Sequence, residues 1–210
     1  MSRSAGSTTR SEIVNAPFAS WAVVGARLRD SDLDIGRVVC GSLTRQRDTA
    51  QAILSAVGMP ADRLEVDPRL DEYDHEGVFA AHSSGVTFET ARGRVTPREL
   101  QASLDRAIVS WIAGDGEYAE PHAAFVSRIL AAIDELTAGR GVTVVSTSSG
   151  VIALACAQVL GLPPEHWPAL ARVVVNGSVT KLISGQLGTH LLTFNDHAHF
   201  ERNRAELTYR

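Results

Sequence analysis

Two hydrophobic periods alternate along the chain. In FASWAVVGARLRD (residues 18–30), Phe18, Trp21, Val24, Gly25 and Leu28 fall on one stripe at helical spacing. The β-branched run GRVVCGS follows and reads as a buried strand. LTRQRDTAQAILSAVG then reads as a helix closed by Gly58 and Pro60. RLEVDPRLDEYD predicts a short strand and an acidic turn, whereas HEGVFAAHSSGVTFETARGRV has no clean period and reads as a lid-like excursion. TPRELQASLDRAIVSWIAG predicts a helix capped by Thr96, with Pro97 in its first turn and Glu99 where a capping box needs a carboxylate. In AEPHAAFVSRILAAIDELTAG, Phe125, Ile129, Ile133 and Leu136 line one helical face and Gly139 ends it. VTVVSTSSGVIALACAQVLG, from Val142 to Gly161, reads as a strand, a small polar turn and an apolar helix. Two β-rich runs around Gly185 and Gly188 predict an antiparallel hairpin near a sheet edge.

This alternation predicts one α/β domain with a largely parallel sheet over residues 18–210, after a poorly structured segment over residues 1–17. Composition narrows the partners. A hydrophobic share of 44% in 210 residues builds a sizeable core, and a net charge of −4 argues against a nucleic acid or an anionic membrane surface as partner. The longest apolar run, VIALACAQVL, is far below the ~20 residues of a membrane span. MSRSAGSTTRSE lacks the apolar core of a secretory signal, so a cytoplasmic protein is expected. Cys40 and Cys156 lie in apolar segments and read as small buried hydrophobes. Trp21, Trp111 and Trp167 read as core residues. HAH at 197–199 is weak as a metal motif, and the glycine patterns of nucleotide sites are absent, so no metal and no cofactor are expected.

Three segments could carry chemistry. In open α/β sheets, ligands gather beyond the carboxyl ends of the strands. Arg45 and Arg47 fall at the start of a helix that follows a strand, where a guanidinium can fork around a phosphate. The alternative is two solvated surface arginines. The hydroxyls of Ser146, Thr147, Ser148 and Ser149 stand at the second strand–helix turn, where they could cradle an anion or merely cap the helix. Asp71, Glu72, Asp74, His75 and Glu76 crowd one turn; they form either a source of a proton donor or a solvated acidic loop.

Taken together and in order, these segments resemble the histidine phosphatase (phosphoglycerate mutase-like) superfamily over roughly residues 20 to 200. VVCGSLTRQRDTAQAI is similar to that family's strand, turn and RARQTA-like helix start. LDE with Gly77 resembles its acid motif, and VTVVSTSSGVIALACAQVLGLP resembles its VVSHGGVI…LLGLP segment. NGSVTKL and NDHAH resemble its C-terminal signatures. The resemblance implies a three-layer α/β/α fold with a mostly parallel central sheet. It further implies Arg45 as a phosphate-binding arginine, Glu72 as proton donor, His199 as a structural residue, and a phosphorylated small molecule or phosphoprotein as partner. In that family a histidine attacks phosphorus and is transiently phosphorylated.

The departures from the family pattern decide the expectation. No Arg-His-Gly motif occurs anywhere, and no apolar strand precedes residues 18–30. None of the histidines at 75, 82, 122, 166, 190, 197 and 199 falls at either catalytic position, and Ser148 takes the place of the second one. The first strand is therefore expected to be missing or altered, with the reading frame starting late or out of frame over its first ~20 residues, a length set by the strand it would need to encode. As written, the chain is expected to be a catalytically impaired phosphatase relative that binds or acts on a phosphate monoester. The alternative is a non-catalytic pseudoenzyme that binds a phospholigand or a protein. A third reading takes Ser148 in STSSG as a serine-hydrolase nucleophile with Asp196 and His199, although the motif lacks its leading glycine.

Overall fold

The computed structural model describes residues 9–15, 21–31, 33–83 and 87–200, with side chains from Val23 onward. Contacts divide the chain into two compact units, Met1–Glu72 with Ile129–Arg210, and Tyr73–Arg128, where the sequence predicts one domain from residue 18.

The first unit is built on a six-stranded sheet in the order β3-β2-β4-β1-β5-β6. Its strands are β1 (Thr9–Asn15), β2 (Ile35–Cys40), β3 (Leu64–Val66), β4 (Val142–Thr147), β5 (Val179–Gly185) and β6 (Gly188–Asp196). The pairs β3–β2, β2–β4 and β4–β1 are parallel; β1–β5 and β5–β6 are antiparallel. The fold is thus α/β with a mostly parallel centre, and the predicted hairpin supplies the edge strand β6.

The expected loss of the first strand is overturned. Residues 9–15, expected to be poorly structured, form β1 in the middle of the sheet, paired on both sides. TRSEIVN carries little of the apolar, β-branched signal that marks a buried strand. A central position nevertheless gives its backbone N–H and C=O groups ladder partners in both directions, and β propensity is overridden by such context. The chain lacks the Arg-His-Gly sequence, not the strand. Phe18 and the side chain of Trp21, both assigned to the first helical stripe, lie outside the described residues.

Helices α1 (Trp21–Arg29) and α2 (Thr44–Ala56) pack together on one face of the sheet. Val24 and Leu28 of α1, and Ala50, Ile53 and Leu54 of α2, bury against Val38, Cys40, Val144 and Val179. Burying a Val, Leu or Ile side chain in this way is worth about 1.5–3 kcal/mol. Past β3 the chain reverses direction to reach β4, so right-handed connection puts the second half of α6 (His122–Ala138) on the other face. Helix α7 (Ser149–Val159) lies against β1 and β6 and is buried on nearly every side, as its unbroken apolar sequence requires. Short α8 (Trp167–Ala171) packs on α7, and Trp167 is fully buried. Cys40 and Cys156 are buried free thiols; burial pushes them up to about 11 and about 12, which leaves them protonated and inert.

The second unit contains α3 (His75–His82), α4 (Phe88–Arg92), α5 (Pro97–Ala113) and the start of α6. The capping box at Thr96 and Glu99 forms as predicted, and α5 ends at Gly114 in the left-handed conformation. Tyr73 stacks on Trp111 at 5.3 Å between ring centroids and meets Phe125 edge-on at 5.8 Å. The Trp111 indole N–H donates to Glu120 O at 2.8 Å. Trp111 is therefore core, as expected. Helices α3 and α4 occupy the stretch in which the sequence shows no clean period.

A clasp near the C-terminus ties α1 to the end of β6. Arg27 donates to Asp196 Oδ2, and its Nη1 donates to His199 Nδ1 at 2.8 Å. His199 Nε2 donates to Gly177 O at 2.9 Å. A carbonyl only accepts and a guanidinium only donates, so one neutral tautomer of His199 satisfies both contacts. Burial, with the adjacent Arg27 guanidinium, holds His199 below the ordinary imidazole range. The unfolded chain takes up a proton at this residue near pH 6.5 and the folded chain only at lower pH. This residue's contribution is therefore fully present above about pH 6.5 and is lost as pH falls through the folded value. Urea midpoints of wild type and His199→Gln measured from pH 8 to 5 are expected to converge as the pH drops; a constant gap would refute the linkage.

Candidate functional site

The carboxyl ends of β1, β2 and β4 lie level with one another. Cys40 pairs with Ser146, and Asn15 pairs with Thr147, one residue before Ser148. Because β4 returns between β2 and β1, the turns leaving β2 and β4 open side by side, as in the ligand crevice of open α/β sheets.

Arg45 sits in the first turn of α2 and is half-buried. Its Nη2 donates to Ser148 Oγ at 3.2 Å across the two turns. Arg47 points elsewhere: its Nε donates to Ser42 O at 3.0 Å on the surface. Of the two candidate arginines, Arg45 alone meets the second turn among the described residues.

The four hydroxyls of STSSG divide their tasks. Ser146 Oγ donates to Gln46 O at 2.9 Å and Thr147 Oγ1 donates to Leu70 O at 2.6 Å, so both lock the turns together. Ser149 Oγ donates to Glu72 Oε2 at 3.4 Å. Ser148, 1% exposed, is the N-cap residue of α7 by position, but its side chain makes no capping bond. It faces Arg45 instead.

Glu72 is buried, and its Oε2 accepts the Gly150 N–H at 3.0 Å. The carboxylate thereby occupies the amino end of α7, where the helix dipole favours negative charge. The reading of this turn as a solvated acidic loop fails for Glu72 and for half-buried Asp71, whereas Asp74 and His75 are exposed and Asp74 and Glu76 serve local backbone groups. Asp71 accepts from the Ser42 N–H and hydroxyl. Asp74 Oδ1 accepts from Gly77 N at 3.0 Å and caps α3, and Glu76 Oε2 accepts from Phe88 N at 3.1 Å.

One residue escaped the sequence reading. Gln46, 1% exposed, donates through Nε2 to Leu70 O at 3.2 Å and to Ser148 Oγ at 3.0 Å. Its signal was a polar side chain on the same face of α2 as Ala50 and Ile53, four and seven residues on.

The serine-nucleophile reading is corrected by the same contacts. A nucleophilic serine gives its proton to a base, and the contacts of Ser148 Oγ among the described residues are two donors, Arg45 and Gln46, with no base. Asp196 and His199 are engaged with Arg27 and the Gly177 carbonyl. The ring of His197 is also committed, through Nδ1 to Asn195 O at 2.7 Å. Among the described residues no group of three or more His, Cys, Asp or Glu could hold a metal, and no helix is long and apolar enough to cross a membrane.

Comparison with solved structures shows the same fold at low identity. Bacillus stearothermophilus YhfR superposes with a TM-score of 0.64 at 16% identity, covering 92% of this chain and 100% of that one. The mycobacterial glucosyl-3-phosphoglycerate phosphatase gives 0.60 at 20%, covering 90% and 99%. The phosphoglycerate mutase of Bacillus anthracis gives 0.56 at 17%, covering 92% and 94%. No curated protein matches the chain. The family model of the histidine phosphatase superfamily, branch 1, matches residues 18–197, and the chain belongs to that superfamily.

Proposed function

We propose that this chain binds a phosphate monoester beside Arg45 and Ser148 without phosphohistidine chemistry, as a catalytically impaired member of its superfamily. One observation carries the reading: the first histidine in the chain is His75. The strand β1 therefore brings no imidazole to the carboxyl edge of the sheet, and the turn after β4 offers a serine.

An anion placed there would meet the Arg45 guanidinium and the Ser148 hydroxyl, both suited to phosphate oxygens. Without a nucleophile, the phosphoryl group has no acceptor on the protein. Glu72, which the resemblance casts as proton donor, then acts as an anchor, its Oε2 taken up by Gly150 N–H and Ser149 O–H. The phosphatase and mutase named above act on phosphorylated small molecules. The same ligand class is proposed here, with a phosphoprotein as the other source of a phosphate monoester.

The test supplies purified protein with a generic aryl phosphate and follows both turnover and inorganic phosphate binding, with Arg45→Ala as control. Binding without turnover, lost in Arg45→Ala, is the expected outcome. Turnover that vanishes with Arg45 would overturn the impaired reading and establish an active phosphatase.

A further inference from the structure

The hydrogen-bond inventory around Ser148 fixes the direction of its proton. A serine oxygen has two lone pairs and one hydrogen. Arg45 Nη2, at 3.2 Å, and Gln46 Nε2, at 3.0 Å, are both donors without any accepting capacity, and together they fill the lone pairs. No described residue accepts the remaining O–H. The orientation of the Gln46 amide is equally determined. Its Nε2 must face Leu70 O, which only accepts, and its Oε1 accepts the Leu43 N–H at 3.4 Å. Gly41 makes room for that oxygen, since a Cβ there would lie 2.0 Å from Oε1.

We propose that Gln46 is a positioning residue of the phosphate site: with Arg45 it saturates Ser148 Oγ as an acceptor and so turns the hydroxyl into a dedicated donor for an anionic ligand oxygen. The inference rests on the phosphate-binding reading and adds to it the polarity of the turn. A hydroxyl beside a free acceptor would spend its proton inside the protein. Among the described residues the proton has no acceptor, so it is left for a ligand oxygen that needs a donor, which favours oxyanions over cations. The side chain of Gln46 is buried, so its effect on a ligand passes through Ser148.

A double-mutant cycle separates this from a role in packing. Inorganic phosphate is titrated calorimetrically into wild type, Gln46→Met, Ser148→Ala and the double variant, with melting curves to confirm folding. Methionine keeps the volume but cannot donate, and Leu70 O retains the Thr147 hydroxyl. Gln46→Met is expected to weaken phosphate binding about tenfold when Ser148 is present, and by less than about twofold when residue 148 is alanine. Equal losses in both backgrounds would overturn the assignment. Should Gln46→Met not fold, Gln46→Ala completes the same cycle. Wild type that binds no phosphate would sink the binding reading and this inference together. Wild-type binding that depends on Arg45 but shows no coupling between Gln46 and Ser148 would sink this inference alone.

Discussion

Arg45→Ala is expected to weaken inorganic phosphate binding about a hundredfold, because a charge-assisted hydrogen bond in a sheltered site is worth roughly 1.5–3 kcal/mol. The unfolding midpoint should barely move. Thr49 Oγ1 donates to the backbone carbonyl of Arg45 at 2.8 Å, a bond the substitution keeps, and the guanidinium contributes nothing to the apolar cluster under α2. Arg47→Ala provides the matched comparison. It removes a positive charge two residues away whose side chain bonds Ser42 O at the surface, and it should leave phosphate affinity within about twofold. Calorimetric titration of the two variants reads the difference directly. Equal losses would mean that general positive charge, rather than the pairing of Arg45 with Ser148, attracts the anion.

Gly150→Ala is expected to cost about 3 kcal/mol of stability. A Cβ at this position would lie 2.3 Å from Glu72 Oε1. The buried carboxylate would have to swing away and give up the Gly150 N–H, leaving both groups poorly satisfied. Chemical denaturation measures the loss. The mechanism is specific enough to be reversed: in a Glu72→Ala background the clash disappears, and Gly150→Ala should then cost well under about 1 kcal/mol. An undiminished cost in that background would show that helix geometry, and not Glu72, forbids a side chain at 150.

Much of the fold was legible in the sequence because its signals are local. Thr96, Pro97 and Glu99 announce the start of α5 from four consecutive residues, and the capping box forms as written. The buried face of α6 follows from the spacing of Phe125, Ile129, Ile133 and Leu136. The step from β4 into α7 shows as an apolar run interrupted by small hydroxyl residues. What escaped depends on partners distant in the chain. TRSEIVN becomes a central strand because β4 and β5 flank it, and neither neighbour is visible from the segment itself. Glu72 looked solvated because one of its partners lies 78 residues on, at Gly150. Gln46 looked like one polar residue among several at a helix start; only the meeting of Leu70 and Ser148 above it gives its amide a purpose. Arg45 and Arg47 were indistinguishable by spacing, and the direction of each side chain separates them.

The central claim is that this member of a phosphohistidine-forming superfamily holds a phosphate monoester without forming the covalent intermediate. Intact-mass measurement of the protein, quenched rapidly at alkaline pH after mixing with a saturating aryl phosphate, tests it most directly. The account predicts an unchanged mass at every mixing time. A gain of one phosphoryl group that maps to a histidine would contradict it.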